Sequence, residues 1–471
     1  MKRWASLLFA GLMLLAPLSG CGSRSEGSEG TTDDTPVTLR IANWSSAGEA
    51  LERAGTECFT DAFTNKYPNV SFKIDILPDY QNQFQNNMAI GSTNYDVFLV
   101  PDCNFGAWAS TGVMLDLTDR VQSSDVINIE DMYENVAERY MLNEENLTIG
   151  SGKIYALPKD VGPYVMAYNK DLLMDLDSDT LKSGSTSEYM SIYEKYEEHL
   201  TATDVFDMDV AIEMFREIKK ADPTMYSVGN MQIEGMVWSN GGDFVDDSQT
   251  PAVSTVNTPE VIEAYKTYVQ MDDEGLMPDG ATLTTVDANT LFRQGTLACI
   301  VMHRVMVTPF RQIEDFEWDV CPVPGFSAAP TLNSSSGSAG WAVHVNSQNR
   351  YWAYKFVEFC ASLEGQIAGT EIGFCVPMYD TKDATDALYE LDGGKMPSNT
   401  ECFINAAKNQ RKNRLSTLAY STRWVTTMDT LSGYIFLNPT DKDHMTVEEF
   451  LQESDRQINS ILQIDYNEAT Y

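Results

Sequence analysis

The sequence predicts an α/β fold built on a largely parallel sheet and divided into two domains. Three observations lead there. Strand-type and helix-type patterns alternate from Val37 to Val100, as they do where strands are joined by crossover helices. The chain beyond Pro36 is too long for one ordinary hydrophobic core. Hydrophobic residues make up 43% and aromatic residues 11%, the balance of a packed globular body.

Val37 to Asn43 is rich in strand formers. Leu51, Ala54, Cys58, Phe59, Ala62 and Phe63 then recur at helical spacing and give one apolar face, until Tyr67-Pro68-Asn69 breaks the helix. Val70 to Ile76 alternates as a strand does. A second helical stretch, Tyr80 to Ile90, ends at Gly91 and leads to a buried-type strand, Asp96 to Val100. Gly152 to Pro158 and Tyr164 to Asn169 read as two short strands joined by Lys159 to Pro163. Asp171 to Asp209 is acidic and irregular, with a helix around Glu188 to His199. Ala211 to Lys220 is helical, and Thr258 caps a helix that has Pro259 at its first position. Leu297 to Met302, Trp318 to Pro322 and Gly340 to Val345 read as strands. Ala353, Phe356, Val357 and Cys360 mark an amphipathic helix, and the chain from Thr400 is mostly helical.

The N-terminus carries an address. Lys2 and Arg3, the apolar stretch Trp4 to Leu18 and the small residues before Cys21 have the build of a secretory signal peptide over residues 1–20. The apolar run is shorter than the ~20 residues that span a bilayer. Gly22 to Thr35 lacks any aromatic or aliphatic residue and reads as a flexible tether, so residues 21–36 form a leash. A net charge of −37 excludes nucleic acid as a partner and direct adhesion to anionic lipid, and keeps an exported protein soluble. Of eight cysteines none forms a CxxC pair; Cys58, Cys299 and Cys360 sit in apolar patterns and read as small core residues.

Seven motifs stand in order along the chain. They are Tyr95-Asp96-Val97-Phe98; Trp108 to Leu117; Gly152 to Pro158 with Tyr168-Asn169-Lys170-Asp171; Trp238-Ser239-Asn240-Gly241-Gly242; Phe292-Arg293-Gln294-Gly295 to Met302; Asp319 to Gly325; and Ser362-Leu363-Glu364-Gly365-Gln366. Together with Leu18-Ser19-Gly20-Cys21, which resembles a lipobox, they resemble the extracellular solute-binding lipoproteins of ABC transporters, in the branch that binds sugars and oligosaccharides. The resemblance implies a two-lobed periplasmic-binding-protein-like fold, each lobe a mainly parallel sheet flanked by helices, with the chain crossing between lobes three times. It implies that Cys21 carries lipid, at the extracellular face of the cell membrane, and that the partners are a carbohydrate ligand and ABC transporter permease subunits, the protein acting as a monomer. The lobes are expected at 37–160 plus 310–345 and at 161–309 plus 346–471. One position departs from the family: His303-Arg304-Val305-Met306 stands where a tryptophan-bearing motif is usual.

A hydroxyl-rich ligand needs flat aromatic faces for its C–H side and polar side chains for its hydroxyls. Trp44, preceded by Asn43, follows the first strand, where an open α/β sheet places ligand loops. Trp238 and Asn240 lie in the NGG motif, Trp341 follows the run Ser334 to Gly340, Tyr164 follows Gly162-Pro163 at the first crossing, and Trp424 falls on a late helix. Asp102 and Asp160 are further polar candidates, and Arg304 lies near the pocket expected from the resemblance. Trp108, Trp318 and Trp352 lie in apolar periodic runs and read as core.

No catalytic, metal or cofactor site is expected. The four histidines form no HExxH, and Gly337-Ser338-Ala339-Gly340 is one residue short of a nucleophile elbow. Asp175 to Asp179 lacks the glycine and glutamate of a calcium loop and reads as a solvated loop. The 69 acidic residues leave a two-carboxylate polysaccharide-active enzyme open by motif, with nothing singling out one pair. The second binding reading is a non-sugar solute, a peptide, polyol or polyamine, suggested by Arg304.

Overall fold

The computed structural model describes residues 35–45, 48–89, 94–371, 373, 375–409 and 411–470. The signal peptide, Cys21 and the tether through Asp34 lie outside the described residues, as does the helix end at Ile90 and Gly91. Among the described residues no helix is long and apolar enough to cross a membrane.

In chain order the strands used below are β1 (Val37–Trp44), β2 (Val70–Leu77), β3 (Val97–Pro101), β4 (Leu157–Pro158), β5 (Tyr164–Asn169), β6 (Tyr226–Gly229), β7 (Leu297–His303), β8 (Trp318–Cys321), β9 (Ser335–Ser336), β10 (Ala339–Val343) and β11 (Arg411–Lys412). The helices are α1 (Glu49–Lys66), α2 (Asp102–Ser110), α3 (Met208–Ala221), α4 (Ile233–Ser239), α5 (Pro259–Asp273), α6 (Arg350–Ala361), α7 (Leu363–Gly369), α8 (Lys382–Asp392), α9 (Thr400–Asn409), α10 (Arg423–Ser432) and α11 (Val447–Thr470).

Two sheets organise the chain. The first has the order β2-β1-β3-β10-β4. Within it β1 runs parallel to β2 and β3, with Val37 opposite Val70 and Ile41 opposite Val97. Every residue of β3 is buried, as expected of a strand covered on both faces. β10 runs antiparallel to β3 and β4. The second sheet, β6-β7-β5-β8, pairs β6 with β7 in parallel, while β5 is antiparallel to β7 and β8. Both sheets are thus mixed. Parallel order holds where a helix makes the crossover and is lost where the chain enters from the other lobe, as β5 and β10 do.

Helices cover the sheets through apolar faces. On α1 the acidic Glu49 and Glu52 occupy the first turn and Lys66 the last, complementing the helix dipole. Phe63 on α1 meets Phe356 and Phe359 on α6 at ring distances of 5.4 and 5.5 Å, locking both helices to the first lobe. α3 is capped by Asp207, whose side chain accepts from the Asp209 and Val210 amides, and packs on the second sheet.

Several expectations need correction. Trp318–Cys321, placed with the first lobe as part of 310–345, is the edge strand of the second sheet, because the free edge of β5 takes its backbone hydrogen bonds. α6 and α7, placed with the second lobe as part of 346–471, pack on the first sheet and α1, where their aromatic faces fit. The acidic stretch from Asp171 is not irregular. Asp177–Leu181 pairs with Tyr189–Ser191 as a hairpin, so the expected loop at Asp175 to Asp179 is partly strand, and Ser191 and Glu194 form a reciprocal capping box on the next helix. Thr258 precedes α5 but makes no side-chain cap bond.

Candidate functional site

The chain passes between the sheets three times: from β4 to β5 through Lys159–Pro163, from β8 to β10 through the serine-rich stretch containing β9, and from α9 to α10 through β11. The three crossovers are bonded side by side. Gly162 donates its amide to the Gly337 carbonyl at 3.1 Å, Lys159 to Ala339 at 2.7 Å and Arg411 to Ser334 at 3.2 Å, and β9 pairs in parallel with β11. A run of small serines allows this close approach of backbones.

A buried polar network underlies the crossovers. Arg139, fully buried, points its Nη1 at Asp102 Oδ2 (3.4 Å) and donates to the Ser336 carbonyl (2.8 Å), and its Nε donates to the Asn135 carbonyl (2.7 Å). Tyr140 donates to Ser338 Oγ at 3.1 Å, and Ser338 Oγ donates to the Asp160 carbonyl at 2.9 Å. Asp160 pairs with Lys159 at 2.7 Å. Burial pushes the Asp102 carboxyl up to about 6, against the pull of Arg139. On the second-lobe side His303 lies against Tyr164, ring centroids 3.6 Å apart, with Nδ1 3.2 Å from the Gly162 carbonyl. Burial pushes the His303 imidazole down to about 4, so the ring is neutral near pH 7, and pushes the Tyr164 phenol up to about 12.

Beside this network lies a cavity of about 40 Å³ lined by aromatic and charged side chains, among them Trp238, Trp424, Asp243, Arg411, Lys412 and Arg414. Arg411 sits over the Trp238 ring at 5.0 Å and donates to Asp243 Oδ2 at 2.8 Å, while Trp238 Nε1 donates to Asp243 Oδ1 at 3.2 Å. Arg414 lies over Phe244 at 4.9 Å and pairs with Glu234 and Asp429 at 2.9 and 3.0 Å. The cavity is small because residues just past β11 reach the first lobe. Ile149 donates its amide to Thr417 and Ala419 donates to Leu147, and a Cβ on Gly106 of α2 would stand 2.5 Å from Ala419 Cα. A roomier concavity of about 410 Å³ lies around Arg293 and Gln312, away from the crossovers, and its lining carries no aromatic side chain.

The candidates from sequence fall into groups. Trp238 and Trp424, both buried in the second core, border the small cavity, and Asp102, Asp160 and Tyr164 belong to the crossovers. Arg304 does not sit in a pocket. It is fully buried, pairs with Asp392 at 2.7 Å and lies over Phe403 at 4.7 Å, because an interior guanidinium needs a carboxylate and α8 supplies one. Trp341 is at the middle of β10, opposite Leu99 and Leu157, and fully buried in the first core. Asn43 is also buried; its Nδ2 donates to Thr56 on α1 at 2.9 Å, and its Oδ1 accepts the Trp44 amide at 2.7 Å. Trp44 is half-buried against the first core. Asn240 donates to the Glu260 carbonyl and to Glu263 on α5. Trp108, Trp318 and Trp352 are in the core. Cys58 is half-buried, whereas Cys299 and Cys360 are buried, and all three are free thiols.

Sequence reading missed Arg139, Arg411, Lys412 and Arg414. Arg139 sits in a 3-10 turn with no motif around it, and only tertiary contact marks it out. The run Arg411-Lys412-Asn413-Arg414 was a legible signal, three cations in four residues of a strongly acidic chain. Among the described residues no cluster of three or more His, Cys, Asp or Glu is placed to hold a metal ion.

Residues 42–367 match the family described as "Bacterial extracellular solute-binding protein". A putative binding protein of Brucella abortus (strain 2308) is 24% identical over 375 residues, covering 76% of this chain and 77% of that protein. Among solved structures, the ABC substrate-binding protein Lmo0181 of Listeria monocytogenes, in complex with cycloalternan, superposes with a TM-score of 0.71 at 17% identity, covering 91% of this chain and 99% of that one. The GacH receptor of Streptomyces glaucescens, solved unliganded and with acarbose, gives 0.66 at 18% identity over 90% and 98%. A cyclic α-maltosyl-1,6-maltose binding protein of Arthrobacter globiformis gives 0.68 at 14% identity over 91% and 100%. These likenesses show the two-lobed α/β fold.

Proposed function

Because the chain belongs to the bacterial extracellular solute-binding protein family, we propose that it is a receptor that captures a carbohydrate, most naturally an oligosaccharide, between its lobes and delivers it to an ABC importer. The observation that carries this reading is the cavity beside the triple crossover, where Trp238 and Trp424 supply aromatic faces and charged side chains supply hydrogen-bond partners. The neighbours whose titles name cycloalternan, acarbose and cyclic maltosyl-maltose support the ligand class.

A cavity of about 40 Å³ is far below the roughly 300 Å³ or more of a typical ligand pocket. Entry of a sugar therefore requires the lobes to part, with Thr417–Ala419 leaving Leu147 and Ile149. Contacts made by ligand to both lobes then favour reclosure, and an importer would read the reclosed state. Lipidation of Cys21 would hold the receptor near its importer and raise its effective concentration there. The body is taken to act as a monomer. The non-sugar reading rested on Arg304, and that side chain is engaged by Asp392.

Thermal-shift and calorimetric titration against neutral mono- and oligosaccharides tests the proposal. Stabilisation by a sugar recovered unchanged is the expected result. Turnover of the sugar would replace the receptor with an enzyme, and a response to peptides or amines alone would replace the ligand class.

A further inference from the structure

Resting on the receptor reading above, we propose that His303 gates the hinge by protonation: as the neutral imidazole it is covered by the first two crossovers and the lobes close, and as the imidazolium it favours parted lobes and release of ligand. His303 is the last residue of β7 and is half-buried, so protons reach it from solvent. Three surfaces enclose its ring. Tyr164, its partner in the register of β5 and β7, stacks on it with centroids 3.6 Å apart. The Gly162 carbonyl of the first crossover lies 3.2 Å from Nδ1. On the second crossover Gly337 comes so close that a Cβ there would stand 3.3 Å from Cε1, and one on Gly162 would stand 3.6 Å from Nδ1. Gly162 and Gly337 are bonded to each other, amide to carbonyl, at 3.1 Å. The imidazole therefore lies where two crossovers meet, and the lack of a side chain at both glycines lets their backbones rest on it. Tyr164 and His303 belong to one sheet and move together. Gly162 and Gly337 belong to segments that link the lobes, so they are the cover that lifts when the lobes part, and water then takes its place.

That exchange favours the charged ring in the parted state. Covered, the imidazole is pushed down to about 4 by burial; hydrated, a histidine titrates near ~6.5. The closed state thus binds the proton more weakly, and acid shifts the equilibrium toward parting. Closure is at full strength above pH ~6.5, weakens as pH falls, and drops by more than about tenfold by pH 5. The charges facing the ring leave this sign unchanged. On the first crossover Asp160 favours the imidazolium, but it is paired with Lys159 at 2.7 Å. On β5 the Tyr164 phenol, pushed up to about 12, stays neutral, and Glu234 behind it is held by Arg414. The second crossover brings Ser336 and Ser338 beside Gly337, and behind them Arg139 faces Asp102. On the segment of His303 itself, Arg304 is taken by Asp392. Asp102, at about 6, titrates in the same range, so variants at position 303 assign the effect.

The test is small-angle scattering of the ligand-free mature chain at pH 7 and pH 5, for the parent, H303Q and H303K, with circular dichroism and thermal unfolding at both pH values to check the fold. The expected result is a larger radius of gyration for the parent at pH 5 than at pH 7. H303Q, whose amide can still donate to the Gly162 carbonyl, should keep one radius at both, and H303K should show the larger radius already at pH 7. Acid also reduces the net charge of −37, which draws the lobes together, so general loss of charge acts against the expected expansion. An unchanged parent radius overturns the gating. Equal expansion of H303Q and the parent also overturns it and hands the effect to Asp102. No sugar enters the measurement, so its failure leaves the receptor reading standing, and failure of every saccharide to bind overturns that reading separately.

Discussion

Arg304, the side chain that suggested a non-sugar ligand, is fully buried and held by a carboxylate. Arg304 and Arg311 converge on Asp392 Oδ1 at 2.7 and 2.6 Å. Replacing Arg304 by methionine leaves Asp392 with Arg311 and Thr400 as partners; breaking a buried pair outright costs about 3–5 kcal/mol, and the remaining Arg311 keeps the loss at or below the low end of that range. R304M should therefore lower the denaturation midpoint and leave ligand affinity per folded molecule unchanged; a changed affinity would return Arg304 to the site. Asp102 carries a pH signature. Burial pushes its carboxyl up to about 6, above the ordinary aspartate range, so the folded protein favours the protonated form. The stability this group contributes is present below pH ~4 and is lost as pH rises through about 6. Denaturation midpoints measured from pH 4 to 7 should show this falling component, and D102N should lack it.

Among the elements, α2 and the stretch Thr417–Ala419 set how closely the lobes meet. Gly106 is where they touch, and a methyl group there would fall 2.5 Å from backbone. G106A should push the stretch off α2, at a cost of about 1–3 kcal/mol, and should enlarge the scattering radius of the protein without ligand. An unchanged radius and stability would mean that the contact is not maintained in solution. In the second lobe, Ser191 caps the helix Ile192–Leu200 reciprocally with Glu194. S191A should lose about 1 kcal/mol in urea unfolding, with no effect on ligand binding.

For the whole molecule, the proposed receptor mechanism makes ligand entry and lobe contact exclude one another. The amides of Ile149 and Ala419, which bond across to Thr417 and Leu147, should therefore exchange with solvent faster than those of the buried strand β3 when no ligand is bound. Hydrogen exchange read by mass spectrometry checks this, and equally slow exchange in peptides over 147–149 and 417–419 would deny the opening step. An added sugar ligand should slow exchange in both peptides together.

What the sequence by itself determined is local order. Strand and helix patterns over Val37 to Val100, the core tryptophans Trp108, Trp318 and Trp352, and the ordered motifs that carry the family were all legible, because periodicity and turn chemistry act over a few residues. The acidic stretch after Asp171 was not, since a hairpin whose strands are exposed has no apolar alternation to announce it. Which sheet Trp318–Cys321 joins, where Trp341 faces and what Arg304 pairs with were decided only by tertiary structure. Each depends on which strand edge, cavity wall or counter-charge a distant segment provides, and no window along the chain contains that partner. The same holds for Arg411 and Arg414: a basic run shows in the sequence, but their partners Asp243, Glu234 and Asp429 belong to the folded molecule.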